Sequence, residues 1–349
     1  MREHFRLEAT ARCHLDCRHC AIRLPEGDKD SRKLELSAAE ISRLAGEAAA
    51  LGFRRCLITG GEPFLRKDFF DVYQAVLSKG LLVSVSTSAT LVTDEHVRFL
   101  KKFPSGPIVI SVFGASRETY ERVTRTPGSF DAFRKGLDRL LASGLTLRIK
   151  VRAMRSNKHE INAMADLGWA LAKSPFEIDP FLDLRYDRDE ARNVTIRAER
   201  LSPKEIVRLE RTGPETLGPV AGACPLRRPQ KPLAVGTPAE SSQLFRCEAG
   251  LDGPVIGPFG AMRPCPPLHH PDFLVNLRKV GLAGALDRLF PMALARETKG
   301  RELVDACRPC PNGNFCSWCP ALAYLETGRL DLPVESLCQL AAARAEGLS

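Results

Sequence analysis

Between Phe5 and about Leu184, short β-branched runs alternate with helical patterns, and this alternation constrains the fold more than any other feature of the chain. Six runs read as strands: Phe5–Thr10, Arg55–Thr59, Leu81–Thr87, Pro107–Val112, Thr146–Ala153 and Phe176–Leu184. Apolar residues at helical spacing lie between them, for example over Ser37–Leu51 and Ser129–Ser143. Strand, helix and strand in regular succession build βαβ units with a parallel sheet. The expected fold is therefore α/β, a partial (β/α)6 TIM-type barrel. Its chemistry is expected where the strands end, because the loops after them gather at one face.

From about Pro203 the alternation stops, and Gly213–Gly260 is rich in Pro and Gly. The expected division is a barrel over 1–202, a linker region over 203–245 and a cysteine-rich, loop-dominated domain over 246–349. That last segment shows one helical pattern, around Leu282–Asp305, and little strand signal. The chain of 349 residues is 44% hydrophobic and 27% charged, ordinary values for a globular protein with a sizeable core. No apolar run reaches the roughly 18 residues of a membrane span, and Met1-Arg-Glu-His-Phe5 lacks the apolar stretch of a signal peptide. A cytoplasmic location without membrane association is expected. Twelve cysteines in a reducing compartment point to metal rather than disulfides. The net charge of +9 is partly offset by thiolate-bound metal, so no nucleic-acid partner is expected.

Cys13, Cys17 and Cys20, spaced C-x3-C-x2-C, follow the first strand, so one loop can bring three thiolates to one metal centre. A 4Fe-4S cluster normally takes four thiolates, and three leave one iron open for chemistry. The alternative is zinc, for which His14 or His19 would supply the fourth ligand. Gly60-Gly61-Glu62-Pro63 follows the second strand: two glycines let backbone approach closely, Glu62 offers a countercharge for an ammonium, and Pro63 stiffens the exit. Without the cysteines upstream this would read as a tight βα turn. Cys56, inside the second strand, reads as core.

The cysteine triad after a first barrel strand resembles the signature of the radical S-adenosylmethionine (radical SAM) superfamily. The resemblance implies SAM at the open iron, its reductive cleavage to a 5′-deoxyadenosyl radical, and hydrogen abstraction from a substrate. Gly60–Pro63 is similar to the family's GGEP motif, which meets the amino group of SAM. Ser86-Thr87-Ser88-Ala89-Thr90 stands where the family has Thr-Asn-Gly, and Ser111-Val-Phe-Gly114 resembles its Ser-Leu-Asp-Gly. Thr87 and Ser111 are therefore expected to contact SAM. Arg125 or Arg152 is expected at its carboxylate, for which a guanidinium is a bidentate partner.

The tail reads Cys247, twelve residues, Gly260, four residues, Cys265, then Cys307-x2-Cys310-x5-Cys316-x2-Cys319, eighteen residues, and Cys338. It resembles the SPASM domain of radical SAM enzymes, with two residues before Cys319 where that family commonly has three. By itself the pattern of C-x2-C pairs would read first as structural zinc. The resemblance implies two auxiliary 4Fe-4S clusters, hence three in all. Cys307, Cys310, Cys316 and Cys338 would hold one; Cys247, Cys265 and Cys319 would hold the other, its fourth position open or taken by Cys224.

The resemblance implies an enzyme that abstracts hydrogen from a peptide or protein, in maturation of a ribosomal peptide by crosslinking or oxidation. An electron donor such as a flavodoxin or ferredoxin is implied. Because Cys13 lies close to Met1, a separate leader-binding protein is expected to present the substrate. Three alternatives remain open: sulfatase-maturase-like oxidation of Ser or Cys, small-molecule radical dehydrogenation, and a non-catalytic metal-stapled binding or redox-sensing module. Against the first, Cys265 is followed by Pro266 and Pro267 where those enzymes carry an Asp.

Overall fold

A computed structural model of the chain describes residues 3–104, 106–172, 177–211, 243–245, 253–298, 301–307 and 309–348. Six parallel strands form its centre: β1 (His4–Thr10), β2 (Arg55–Gly60), β3 (Leu82–Thr87), β4 (Ile108–Val112), β5 (Leu147–Arg152) and β6 (Glu177–Asp179). They pair in sequence order, each parallel to the next. The helices α1 (Lys29–Leu34), α2 (Ala38–Ala50), α3 (Phe69–Leu77), α4 (Asp94–Lys102), α5 (Arg117–Thr124), α6 (Ser129–Ala142) and α7 (Ile161–Ala172) lie on the connections between successive strands, and α8 (Glu190–Glu199) follows the sixth. The sixth strand is shorter than the run 176–184 suggested. Pro180 has no N–H to give the ladder, and the Asp179 carboxylate takes the N–H of Phe181 at 3.0 Å, turning the chain out of the sheet.

The sheet stays open. On the other flank of β1 lies β7 (Val255–Ile256), parallel to it, followed by the antiparallel β8 (Ala261–Arg263) and β9 (Val275–Asn276). The order is β9-β8-β7-β1-β2-β3-β4-β5-β6, so β9 and β6 are the two edges and the barrel is partial.

Along the strands burial alternates with the period of two that a pleated sheet imposes. Phe5, Leu7, Cys56, Ile58, Val83, Val85, Ile110 and Val151 are buried in one continuous core with residues of the surrounding helices, among them Ile41, Leu44, Val72 and Leu137. The intervening residues face a cavity inside the barrel and are largely polar: Arg6, Thr59, Ser84, Ser86, Ser111, Lys150.

Beyond the barrel the structure holds more order than the sequence reading expected of a loop-dominated tail. The single helical pattern around 282–305 becomes α10 (Leu277–Leu294) and α11 (Arg301–Cys307), and α12 (Pro320–Thr327) and α13 (Glu335–Leu348) follow. The helix α9 (Pro203–Arg211), in the stretch read as linker, packs on α13. Arg344 of α13, only 2% exposed, joins them by a bidentate pair with Glu210 at 2.6 and 3.0 Å and donates to Phe315 O at 3.1 Å. Capping anchors α10 on the barrel. Ser37 and Glu40 form a reciprocal capping box on α2, and Glu40 also accepts Arg278 Nε at 2.6 Å, which holds its carboxyl down at about 2.

One buried pair fastens β8 to the barrel. Arg263, 2% exposed, grips the Glu8 carboxylate with two guanidinium nitrogens, one at 3.1 Å, and donates Nε to Pro266 O at 3.1 Å. Removing one partner of a buried pair leaves an uncompensated charge, at a cost of roughly 3–5 kcal/mol. Arg263→Leu is therefore expected to lower stability by about that amount in denaturant titration, whereas Arg43→Leu, at an exposed pair with Glu47, is expected to change it by less than about 1 kcal/mol.

Candidate active site

The loop after β1 is held by backbone on one side and by carbonyls on the other. Gly61 N–H donates to Thr10 O at 2.7 Å and Glu62 N–H to Arg12 O at 3.0 Å. The Arg12 guanidinium pairs with Glu35 at 2.9 and 3.1 Å, and Arg66 donates to Ala9 O at 2.8 Å. Across the loop, Asp16 and Arg18 N–H groups donate to Thr124 O and Val123 O, both at 3.0 Å. The Asp16 carboxylate gathers Arg192 at 2.7 Å, Arg23 at 3.0 Å and Arg125. A loop tied at so many points presents its side chains in fixed positions.

Cys13, Cys17 and Cys20 all line the upper end of the barrel cavity, whose volume is about 500 Å³. Burial pushes the Cys13 thiol well up, with Glu62 and Cys20 adding to the effect. Cys17 is raised likewise by burial and then by Cys20 and Cys13. Each thiol thus lies in the field of the others, an arrangement in which thiolates need a cation among them. Among the described residues no group of three or more His, Cys, Asp or Glu forms a site for a single metal ion. Three thiols at one end of the cavity are the donor set that a 4Fe-4S cluster with one open iron would use. His14 is engaged elsewhere, its Nε2 2.7 Å from Thr90 Oγ1, and His19 packs against Phe113 with ring centroids 5.1 Å apart. Burial lowers the His19 imidazole to about 3, so it is neutral.

The two glycines have a definite reason. Gly60 has φ +125°, and a Cβ there would lie 2.1 Å from Thr10 O; at Gly61 it would lie 2.1 Å from Arg12 O. The close approach that the sequence suggested is made to the cysteine loop's own backbone. Pro63 opens a short 3-10 turn, Pro63–Leu65, and is buried behind the cavity. Glu62, 1% exposed, accepts from Thr87 Oγ1 at 2.8 Å, Ser88 N at 2.9 Å and Ser88 Oγ at 2.6 Å. Ser88 Oγ also lies 2.7 Å from Thr90 Oγ1, so a hydrogen-bonded chain runs from His14 through Thr90 and Ser88 to Glu62. An ammonium arriving at Glu62 would share that oxygen with Ser88, which keeps Thr90 as a second partner.

Thr87 and Ser111 both line the cavity. Arg152 lines it too, paired with Asp179 at 3.0 Å and donating to Phe181 O at 2.6 Å. Arg125 stands outside the lining, at the left-handed end of α5 (Arg117–Thr124), and braces Asp16 O at 3.0 Å. Sequence reasoning passed over Ser88 as a site residue, and its neighbour carries the signal: Ala89 has φ +63°, where the resembling motif places glycine.

In the tail, Cys316 is raised by burial and by the nearby Cys338 and Cys310, and Cys338 by partial burial and Cys310. Cys307 closes α11 one turn before them, its carbonyl 3.4 Å from Cys310 N. Cys310, Cys316 and Cys338 thus lie in one another's field, with Cys307 next to Cys310 along the chain. Cys319 is buried at the start of α12 and Cys265 is half-buried after β8. Cys247 and Cys224 lie outside the described residues.

Residues 7–165 match the family model of the Radical SAM superfamily. The chain is 25% identical to the AdoMet-dependent heme synthase of Methanosarcina barkeri over 92% of both chains. It is 27% identical to the antilisterial bacteriocin subtilosin biosynthesis protein AlbA of Bacillus subtilis, over 75% of this chain and 54% of that one. Several other curated relatives are matched over only 39–45% of their length. Among solved structures, Streptococcus suis SuiB bound to S-adenosylmethionine superposes with a TM-score of 0.72 at 16% identity, covering 97% of this chain and 78% of that one.

Gly61→Ala is expected to displace the cysteine loop, so that reconstituted protein loses about one cluster's worth of iron and sulfide. Gly27→Ala, where a Cβ meets nothing within 4 Å, is expected to leave iron content unchanged.

Proposed function

We propose that this chain, whose residues 7–165 match the family model of the Radical SAM superfamily, is a radical SAM enzyme, that Cys13, Cys17 and Cys20 hold its SAM-binding 4Fe-4S cluster and that its substrate is a peptide, matured by crosslinking or oxidation. The observation that carries this is the convergence of three thiols with Glu62 and Ser88 at one mouth of a barrel cavity. With SAM bound, the cluster supplies one-electron chemistry strong enough to remove an unactivated hydrogen atom. The chain's own residues do the rest. Glu62 and Ser88 take the SAM ammonium, Arg152 and Ser111 its carboxylate, and Thr87 orients Glu62. His19 and Phe113 wall the site against water.

Cys307, Cys310, Cys316 and Cys338 hold one auxiliary cluster, and Cys265 and Cys319, with Cys247, another. A flavodoxin or ferredoxin supplies the electrons, and a separate leader-binding protein presents the peptide. Support for a peptide substrate comes from the likeness to AlbA and to SuiB, a structure of which is bound to the precursor peptide SuiA. A second reading, a small molecule, is favoured by the match to a heme synthase along almost the whole chain.

Anaerobically reconstituted and reduced wild type is expected to release 5′-deoxyadenosine from SAM, followed by mass spectrometry, and Cys17→Ala to release none while keeping the tail's iron. Cleavage by that variant would refute the cluster assignment. Cys338→Ala is expected to show the converse: about one cluster less iron, with SAM cleavage retained. A mass change in a candidate precursor peptide supports the first substrate reading; turnover of a small molecule alone supports the second.

A further inference from the structure

The cavity does not end at the cysteine loop. It runs down the barrel to the N-terminal ends of the strands, where its lining includes Arg6, Arg55 and Arg148. We propose that this lower end is a subsite for a carboxylate carried by the substrate, gripped by Arg6 and Arg148 with Arg55 at the rim. The proposal deepens the reading above and rests on it only for which end of the substrate reacts.

Charge accounting points there. Each acid near Arg6 already has a cation in contact: Glu8 is held by Arg263, and Glu177 by Lys150 at 2.9 Å, as an ion pair without hydrogen-bond alignment. Asp179 is shared by Lys150 at 3.7 Å and Arg152 at 3.0 Å. Glu3, at the lower rim, is exposed to solvent. Among the described residues, no carboxylate pairs with the side chain of Arg6, Arg55 or Arg148. Arg6 is half-buried, and its side chain lines the open cavity. Burial lowers its guanidinium, opposed by Tyr186, Glu8 and Glu177 and aided by Arg263. A half-buried guanidinium without an ion-pair partner is costly, and a carboxylate is its natural bidentate partner.

The space is suited to such a group. Arg6 pairs in register with Leu57 of β2, and Leu57 with Ser84 of β3, so the small residues Ser84 and Ser86 line the cavity two strands from Arg6. Four residues of strand separate Arg6 from Thr10, roughly 13 Å at about 3.3 Å per residue. A substrate anchored below by its carboxylate would thus reach up to the reacting end beneath Cys13, Cys17 and Cys20. Anchoring at that distance fixes which carbon is presented, the positional control that a hydrogen-abstracting site requires.

Binding is measured without turnover, so failure of this subsite and failure of the radical reading are separate outcomes. Reconstituted protein with SAM is titrated calorimetrically with glutarate, with neutral glutaramide, and with a blocked tetrapeptide containing Glu or, instead, Gln. The expected result is binding of the charged member of each pair, weakened roughly tenfold or more in Arg6→Gln and in Arg148→Gln. Arg43→Gln, on the outer surface, is expected to bind as wild type does. Tighter binding of the Glu peptide identifies a peptide carboxylate; tighter binding of glutarate identifies a small acid; both support the subsite. Equal binding of charged and neutral probes, or undiminished binding in Arg148→Gln, whose exposed position spares the fold if Arg6→Gln fails to fold, overturns it.

Discussion

Two backbone hydrogen bonds, from Gly61 to Thr10 O and from Glu62 to Arg12 O, join the end of the second strand to the loop after the first. The cysteine loop and Glu62 are positioned from that junction. It needs residues without a Cβ, because any side chain at positions 60 or 61 would enter a carbonyl of the cysteine loop. The same junction delivers Glu62 to the cavity, where Thr87 and Ser88 from the next strand receive it. Three successive strand ends are thus locked in register before any ligand arrives, which is the rigidity a site needs if binding is to fix geometry rather than be absorbed by loop motion.

Below the junction the barrel departs from the filled interior usual for closed barrels. Its outward faces carry Phe5, Ile58, Val85 and Ile110 into the common core, and its inward faces carry serines, threonine, arginines and lysine. An open sheet tolerates this, because the hydrophobic effect is satisfied on the helix side alone. The polar interior leaves room for a ligand and supplies charge within it. The ion pairs Lys150–Glu177 and Arg152–Asp179 hold the far wall, and Glu8–Arg263 binds the first strand to the chain that returns after residue 253.

Much of this was legible in the sequence, for physical reasons. The strand and helix alternation placed five strands to within one or two residues, since hydrophobic period is the strongest local signal. The cysteine triad, the Gly-Gly-Glu-Pro turn and the core position of Cys56, 1% exposed, could be read from residue type and place. What escaped depended on contacts between distant segments. The short sixth strand is set by Asp179 and Pro180 acting on one N–H, and Arg125 is directed to Asp16 by the left-handed end of a helix. The hydrogen-bonded chain from His14 through Thr90 and Ser88 to Glu62 joins three segments, its first link spanning 76 residues, and α12 and α13 form in a tail whose cysteines dominate its pattern. The pairing of Val255–Ile256 with the first strand lies beyond any local pattern.

The most direct test of the central claim, that the three-thiol loop holds a cluster with an iron open to SAM, is electron paramagnetic resonance of the reduced, anaerobically reconstituted protein before and after SAM is added. The account predicts a 4Fe-4S signal that SAM shifts, with the shift absent from Cys17→Ala while the remaining signals persist. A spectrum that SAM leaves unchanged, or zinc in place of iron at the N-terminal cysteines, would contradict it.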